Sequence, residues 1–235
     1  AVIAEEMPPE IIERTIQKFA DAAFFVKQCG FGMITIHGGH GWLLTQFMDK
    51  TNNRKDQWGG CIENRARLAI AICDRIHQVC GRGFPVEIRI VGDEVYPGGY
   101  HIEEGIRQAQ LLEGHADLIH VSTGSHEVAE VFTVTHPSMF LADGANVKYA
   151  AEIKKHVSTP VATVGSLSDP AMMEEIEQKV RERLCEQVAV PIADIPACSA
   201  AAAPSIRIAG GDLSIELSKD VPAETVVAII RELKC

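Results

Sequence analysis

Two histidines three residues apart, His37 and His40, lie in the string HGGHGWLL directly after a short apolar run, Met33 to Ile36. Imidazoles at that spacing can cap a loop by hydrogen bonding, or they can share a zinc ion. A zinc site needs a further protein ligand, and none of obvious spacing follows, so no metal is expected. Trp42 comes two residues after His40. Its indole N–H can donate a hydrogen bond or simply pack, but it is far too weak an acid to release a proton near neutral pH. Arg89 is a different signal, a cation inside the otherwise apolar VEIRIV. Such a group must find a partner or destabilise the fold by several kcal/mol. Glu87, Asp93 and Glu94 are the nearby carboxylates, and Glu87 shares a strand face with Arg89.

The elements that must position these residues follow from periodicity. Ile12, Ile16, Phe19, Ala23 and Val26 recur at helical spacing after Pro8 and Pro9, which predicts a helix to about Gln28 with a stop at Gly30. Four short apolar runs read as strands covered on both faces: Met33 to Ile36, Val86 to Val91, Asp117 to Ser122 and Pro160 to Val164. Helical patterns separate them, carried by Leu68, Ile72, Ile76 and Val79, then Ile106, Ala109 and Leu112, then Val147, Ala150 and Val157. Alternating strand and helix specify an α/β fold with a parallel sheet, doubly wound or a (β/α) barrel, and chemistry at the carboxyl ends of the strands.

After Pro170 the pattern changes. Met173, Ile176, Val180 and Leu184 continue a helix, and residues 189–204 are Ala/Pro-rich, the composition of a linker. Residues 205–235 then read as a separate β-hairpin around Gly210 and Gly211, followed by a helix with Val226, Ile230 and Leu233 on one face. The expected organisation is a barrel-type domain over 1–188, the linker, and a small tail of unassigned role.

Composition narrows the partners. With 22 Lys plus Arg against 32 Asp plus Glu, the net charge of -10 disfavours nucleic acid and anionic membrane surfaces. Seven scattered cysteines without a C-x-x-C pair indicate neither a disulfide framework nor a thiolate metal cluster, and fit a reducing cytoplasm. No apolar run approaches the ~20 residues that cross a bilayer.

The segment NNRKDQWGGCIENRARL, residues 52–68, makes the reading specific. Together with His-x-x-His it resembles the old yellow enzyme family of flavin-dependent NAD(P)H oxidoreductases, in the branch of enoate and dienoyl-CoA reductases. Asn52, Arg54, Asp56, Gly59, Gly60, Glu63, Asn64, Arg65 and Arg67 match that pattern, with Trp58 at its aromatic position. The later strands VEIRIVGDE, DLIHVSTG and TPVATVGSLSDP are similar to the family's next three barrel strands, so the likeness spans roughly residues 5–176.

The resemblance implies FMN as cofactor, NADH or NADPH as reductant, and an α,β-unsaturated carbonyl compound, an enone or enoate, as substrate. Negative charge then builds on the carbonyl oxygen, and His37 and His40 match its two hydrogen-bond donors. Arg89 matches the residue facing the N1 and C2 carbonyl edge of the flavin. Gly165 and Ser166 match positions whose amides approach the FMN phosphate, as in other phosphate-binding barrels. Arg54, Asp56, Glu63, Asn64 and Arg65 are expected to tie a long loop together by ion pairs and helix capping. His120 and His136 stand beside strand-end loops and receive no role.

Two features depart from the family pattern. The position that usually carries a proton-donating Tyr is Trp42, so the proton must come from water or another group. The likeness also begins before the family's fourth strand and ends after its seventh, which implies a partial TIM-type barrel of about four βα units. Its outer strands would leave unpaired edges. Such a truncated chain is expected to pair with a second copy or with a complementing barrel half. A non-catalytic fragment or assembly module from a rearranged gene is the rival reading, and a metal-dependent barrel enzyme using His37 and His40 is a third.

Overall fold

The structure, a computed structural model, describes residues 5–137, 141–188, 205–210 and 213–218, with side chains described to residue 179. Two compact units divide the chain, Ala1–Lys179 and Val180–Cys235.

Helix α1 (Pro9–Gln28) starts where Pro8 and Pro9 require it, since proline at the first helical positions gives up no needed N–H. It ends at Cys29, and Gly30 leaves in the left-handed region at φ 86°. Strands β1 (Ile34–Gly38), β2 (Val86–Asp93), β3 (Leu118–Thr123) and β4 (Val161–Thr163) form one parallel sheet in that order. Helices α3 (Ile62–Cys80), α4 (Ile102–Leu112) and α6 (Val147–Lys154) fall between successive strands. Two short helices, α2 (Leu43–Met48) and α5 (Phe132–Thr135), lie in the loops after β1 and β3, and α7 (Pro170–Val188) follows β4. The four strand–helix repeats are therefore consecutive parallel βα units, the unit that a TIM-type barrel repeats. Among the described residues, β1 and β4 each have one strand neighbour.

One sheet face is the core. Ile36, Ile88, Ile90, Ile119 and Val121 are buried with Ile12 and Ile16 of α1 and Leu68, Ile72 and Ile76 of α3. Each fully buried isoleucine contributes about 1.5–3 kcal/mol, so this face binds sheet to helices. Gly105 brings α4 directly onto the strand backbone, for a Cβ there would lie 2.2 Å from the Gly92 carbonyl oxygen.

The alternate residues of the strands face the other way. Register pairs His37 with Arg89, Arg89 with His120, and His120 with Ala162, so one row crosses all four strands. Thr35 and Glu87 form the row behind it.

In the second unit, β5 (Ser205–Gly210) pairs antiparallel with β6 (Leu213–Ser218), as the alternation of apolar residues predicts. The Ala/Pro-rich segment 189–204, residue Gly211 of the expected turn and the expected helix beyond residue 219 lie outside the described residues. Within those described, no helix is long and apolar enough to cross a membrane.

Candidate active site

The HGGH turn is built by close approach. A Cβ on Gly38 would come 2.9 Å from the Arg89 carbonyl oxygen, and one on Gly39 would come 3.3 Å from Val91 Cγ2. Any side chain at Gly38 would push β1 off β2. His40 then takes the left-handed conformation, φ 64°, at about 1–2 kcal/mol for a non-glycine residue. That turn buries its ring at 4% exposure and places Nε2 2.9 Å from Ser122 Oγ on β3. His37 is exposed on the row beside Arg89, and its ring meets that of His40 edge-on with centroids 5.3 Å apart.

Arg89 is half-buried on the central strand, and among the described residues it makes no hydrogen bond or ion pair. The salt bridge to Glu87, Asp93 or Glu94 that sequence leaves open is not formed. Its Nε is buried without a partner. Burial pushes the guanidinium below its ordinary value, and Glu87 opposes that shift.

This cation shapes its neighbours. Burial, then Arg89, lowers His37, with His126 and His120 adding to the effect. Burial and then Arg89, His37, His126 and His136 bring His40 from the ordinary 6.5 to about 3. Both imidazoles are thereby held neutral, and a neutral imidazole keeps one N–H donor.

The loop after β3 adds Ser125, His126 and Phe132, which the sequence did not single out, and His136, to which it gave no role. Ser125 is fully buried beside His40, and the His126 amide donates to the His40 carbonyl at 3.3 Å. The His126 ring lies 5.3 Å from that of His40 and 5.9 Å from Trp42, which is 56% exposed. Its Nε2 is 2.8 Å from His136 Nε2, and Phe132 packs against both rings. The available signal was a histidine two residues past a strand-end glycine, in STGSH.

Gly165 and Ser166 stand apart from this group, after β4. Gly165 has φ 124° and Ser166 φ 48°. A Cβ on Gly165 would lie 2.6 Å from Nδ2 of Asn146, which is buried and bonded to the Val164 carbonyl and the Thr123 hydroxyl. Neither the Gly165 nor the Ser166 amide donates to another group among the described residues.

The matched loop is tied by charge. Arg54 grips Asp56 through two bonds, 3.1 and 2.6 Å, and donates to the Met7 carbonyl. Arg65 meets Glu104 at 2.8 Å, and Arg107 meets Glu63 at 3.1 Å. The expected side-chain capping is not made, because Cys61 is the N-cap of α3 and Asp56 instead accepts the Trp58 amide within its own turn. Below α2, the buried carboxyls of Asp49 and Glu94 meet. Glu94 accepts the Tyr100 amide at 2.9 Å, yet burial, with Asp49 adding to it, raises its pKa to about 7. Among the described residues, no three His, Cys, Asp or Glu side chains are grouped to hold a metal ion.

Comparisons with known proteins agree with this architecture. Residues 1–193 match the model of the NADH:flavin oxidoreductase / NADH oxidase family. An NADH oxidase of Thermoanaerobacter brockii is 42% identical over 167 residues, which cover 70% of this chain and 25% of the relative. A cinnamate reductase of Clostridium sporogenes is 30% identical over 188 residues, covering 73% of this chain and 28% of the relative. The solved complex of 2-naphthoyl-CoA reductase with 2-naphthoyl-CoA superposes with a TM-score of 0.68 at 27% identity, over 78% of this chain and 30% of that one. The chain thus spans about a quarter of the length of the two curated relatives.

Proposed function

Because the chain belongs to the NADH:flavin oxidoreductase / NADH oxidase family, we propose that it supplies the carbonyl-binding part of an FMN-dependent, NAD(P)H-consuming ene-reductase. The observation that carries this reading is the row in which unpaired Arg89 stands beside His37, with His40 behind them. The cationic Arg89, without a side-chain partner among the described residues, fits the electron-rich edge of a flavin ring. The two unused amides at Gly165 and Ser166 fit an anionic phosphate.

FMN, held by Arg89 and by the Gly165 and Ser166 amides, would supply hydride transfer, accepting a hydride from NADH or NADPH and giving one to the β carbon of an unsaturated carbonyl compound. The chain's residues do the rest. His37 and His40 each present an N–H to the carbonyl oxygen, where charge builds as the β carbon is reduced. Both are neutral, so they stabilise that charge without giving up a proton. Trp42 cannot protonate the α carbon. His126, whose ring touches those of His40 and Trp42, carries that proton, with His136 hydrogen-bonded behind it. Trp42 and Phe132, both exposed beside the His126 ring, offer a substrate apolar surface. The reductases of cinnamate and of 2-naphthoyl-CoA among the relatives favour an enoate or a conjugated thioester over a simple ketone.

Reconstitution with FMN tests the reading. The protein is expected to turn yellow and bleach with NADH in the absence of an enone. Arg89→Ala should lose flavin binding. His37→Ala should keep the flavin and lose about 10²–10³-fold in enone turnover, as removal of an oxyanion donor does. A colourless protein that takes up no FMN would overturn the proposal and favour a non-catalytic assembly module. Two observations fit that second reading: the one-sided pairing of β1 and β4, and the exposed Phe24, Phe25 and Phe31 near the start of β1.

A further inference from the structure

Resting on the flavin reading of Arg89, we infer that Thr35 and His120 are positioning residues that tether the Glu87 carboxylate and so keep the Arg89 guanidinium free for its ligand.

Glu87 and Arg89 lie two residues apart on one strand, on the same face. Side chains so placed can meet, and Glu87 is the one carboxylate whose charge acts appreciably on Arg89. In a partly desolvated setting a direct Arg–carboxylate pair would be strong and would occupy the guanidinium fork. It does not form; each oxygen keeps a free lone pair, but each is also bonded to a neighbouring strand, and those two bonds fix where the carboxylate points. Oε1 is 2.6 Å from His120 Nδ1 on β3, and Oε2 accepts the Thr35 hydroxyl of β1 at 2.5 Å.

The two tethers come from the strands on either side, so the carboxylate is gripped across the sheet. The Glu87 side chain is 11% exposed, leaving little room to swing while both bonds persist. A neutral His120 suffices. With its proton on Nδ1, donated to Glu87, Nε2 is a bare acceptor, and that atom is buried without a partner. A proton on Nε2 would create a buried, unbonded donor and a second cation in the row with Arg89. The arrangement therefore leaves a negative charge nearby to balance Arg89 while none of the Arg89 donors is consumed.

The test compares the wild type with Thr35→Val/His120→Leu, and with the same pair plus Glu87→Gln. FMN affinity is read from quenching of flavin fluorescence, and folding from circular dichroism. Cutting both tethers should let Glu87 capture Arg89 and weaken FMN binding by about tenfold or more, the scale of a charged hydrogen bond. Adding Glu87→Gln removes the competing charge and should restore affinity to within about threefold of the wild type, which a merely structural role for the tethers would not do. A crystal structure of Thr35→Val/His120→Leu gives a readout without cofactor: a Glu87 oxygen within hydrogen-bond distance of Arg89 supports the inference. A folded variant in which Glu87 stays off Arg89, or whose loss of affinity Glu87→Gln does not reverse, overturns it. Failure of the wild type to take up FMN would refute the flavin reading alone, and the crystallographic result would then decide the tether.

Discussion

Replacing Ser122 by Ala is expected to unfix the tautomer of His40 and to weaken the carbonyl site without touching its ligand. The Ser122 hydroxyl has one proton and two neighbours, His40 Nε2 at 2.9 Å and the Ile90 carbonyl at 3.3 Å. The Ile90 bond is long and the His40 bond of ordinary length, and the carbonyl-binding role proposed for His40 needs its N–H on Nδ1, so that role assigns the hydroxyl proton to His40 Nε2. Nε2 is then the acceptor, and Nδ1 carries the N–H that the carbonyl needs. Such a bond is worth about 0.5–1.5 kcal/mol net, so its loss should shift the ratio of tautomers by roughly 2- to 12-fold. Leaving Nε2 buried and unbonded should also lower stability by about 1–3 kcal/mol. Long-range nitrogen–proton NMR of the histidine rings reads the tautomer directly, and binding of cinnamate, an enoate, to the flavin-loaded protein reads the consequence. Because His40 stays neutral down to about pH 3, the wild-type pattern should persist from pH 8 to well below 6. A wild-type spectrum with the proton on Nε2 would refute the reasoning, since Ser122 would then be accepting.

Two buried groups should tilt stability in opposite directions. His40 has its folded pKa lowered from 6.5 to about 3, so the unfolded chain takes up the proton first, and stability is lost as pH falls through that window. The loss reaches at most about 4–5 kcal/mol, and urea midpoints for His40→Gln should fall less steeply with acid than those of the wild type. Glu94 has its folded pKa raised from 4.5 to about 7, so the folded state holds the proton longer, and stability is lost as pH rises through 4.5–7. Glu94→Gln keeps an acceptor for the Tyr100 amide without the charge. It should be more stable than the wild type at pH 8, by about 1–3 kcal/mol, and equal to it near pH 4; a wild-type advantage at pH 8 would contradict this.

Much of the frame is legible in the residue pattern, for physical reasons that also explain the gaps. The four strands announce themselves through the apolar residues of the one core face, Ile36, Ile88, Ile90, Ile119 and Val121; the expected cover on both faces is not found, since Thr35 and His37 are exposed on the other. β1 nevertheless extends through His37 and Gly38, residues with no strand preference, because its register against Arg89 and Ile90 holds them. Helix α2, only Leu43–Met48, is too short for a period to show. Arg89 is legible as a cation needing a partner. That Glu87 is not that partner follows only from Thr35 and His120, which lie on different strands and meet through register. His126 is equally a product of folding: nothing local ties it to His40, and the contact exists because the loop after β3 closes back over the HGGH turn.

The site's electrostatics have one source with two effects. Arg89 favours negative charge on whatever ligand lies against it, and the same positive field, added to burial, keeps His37 and His40 from acquiring protons. Charged imidazoles would bind a carbonyl oxygen more strongly at rest, yet they would repel Arg89 and each other at ring separations near 5 Å. Neutral donors avoid that repulsion, and their interaction strengthens as charge develops on the oxygen, where stabilisation accelerates the reaction. The residue that surrenders a proton must then differ from those that hold the oxygen. In the reaction proposed above, a proton donor on the loop after β3, at His126, would separate the two tasks that Trp42 cannot join. The proposed site requires a free Arg89: if Glu87 captured the guanidinium, the ligand would lose its cation, and the histidines would keep only burial, the larger cause, to hold them neutral.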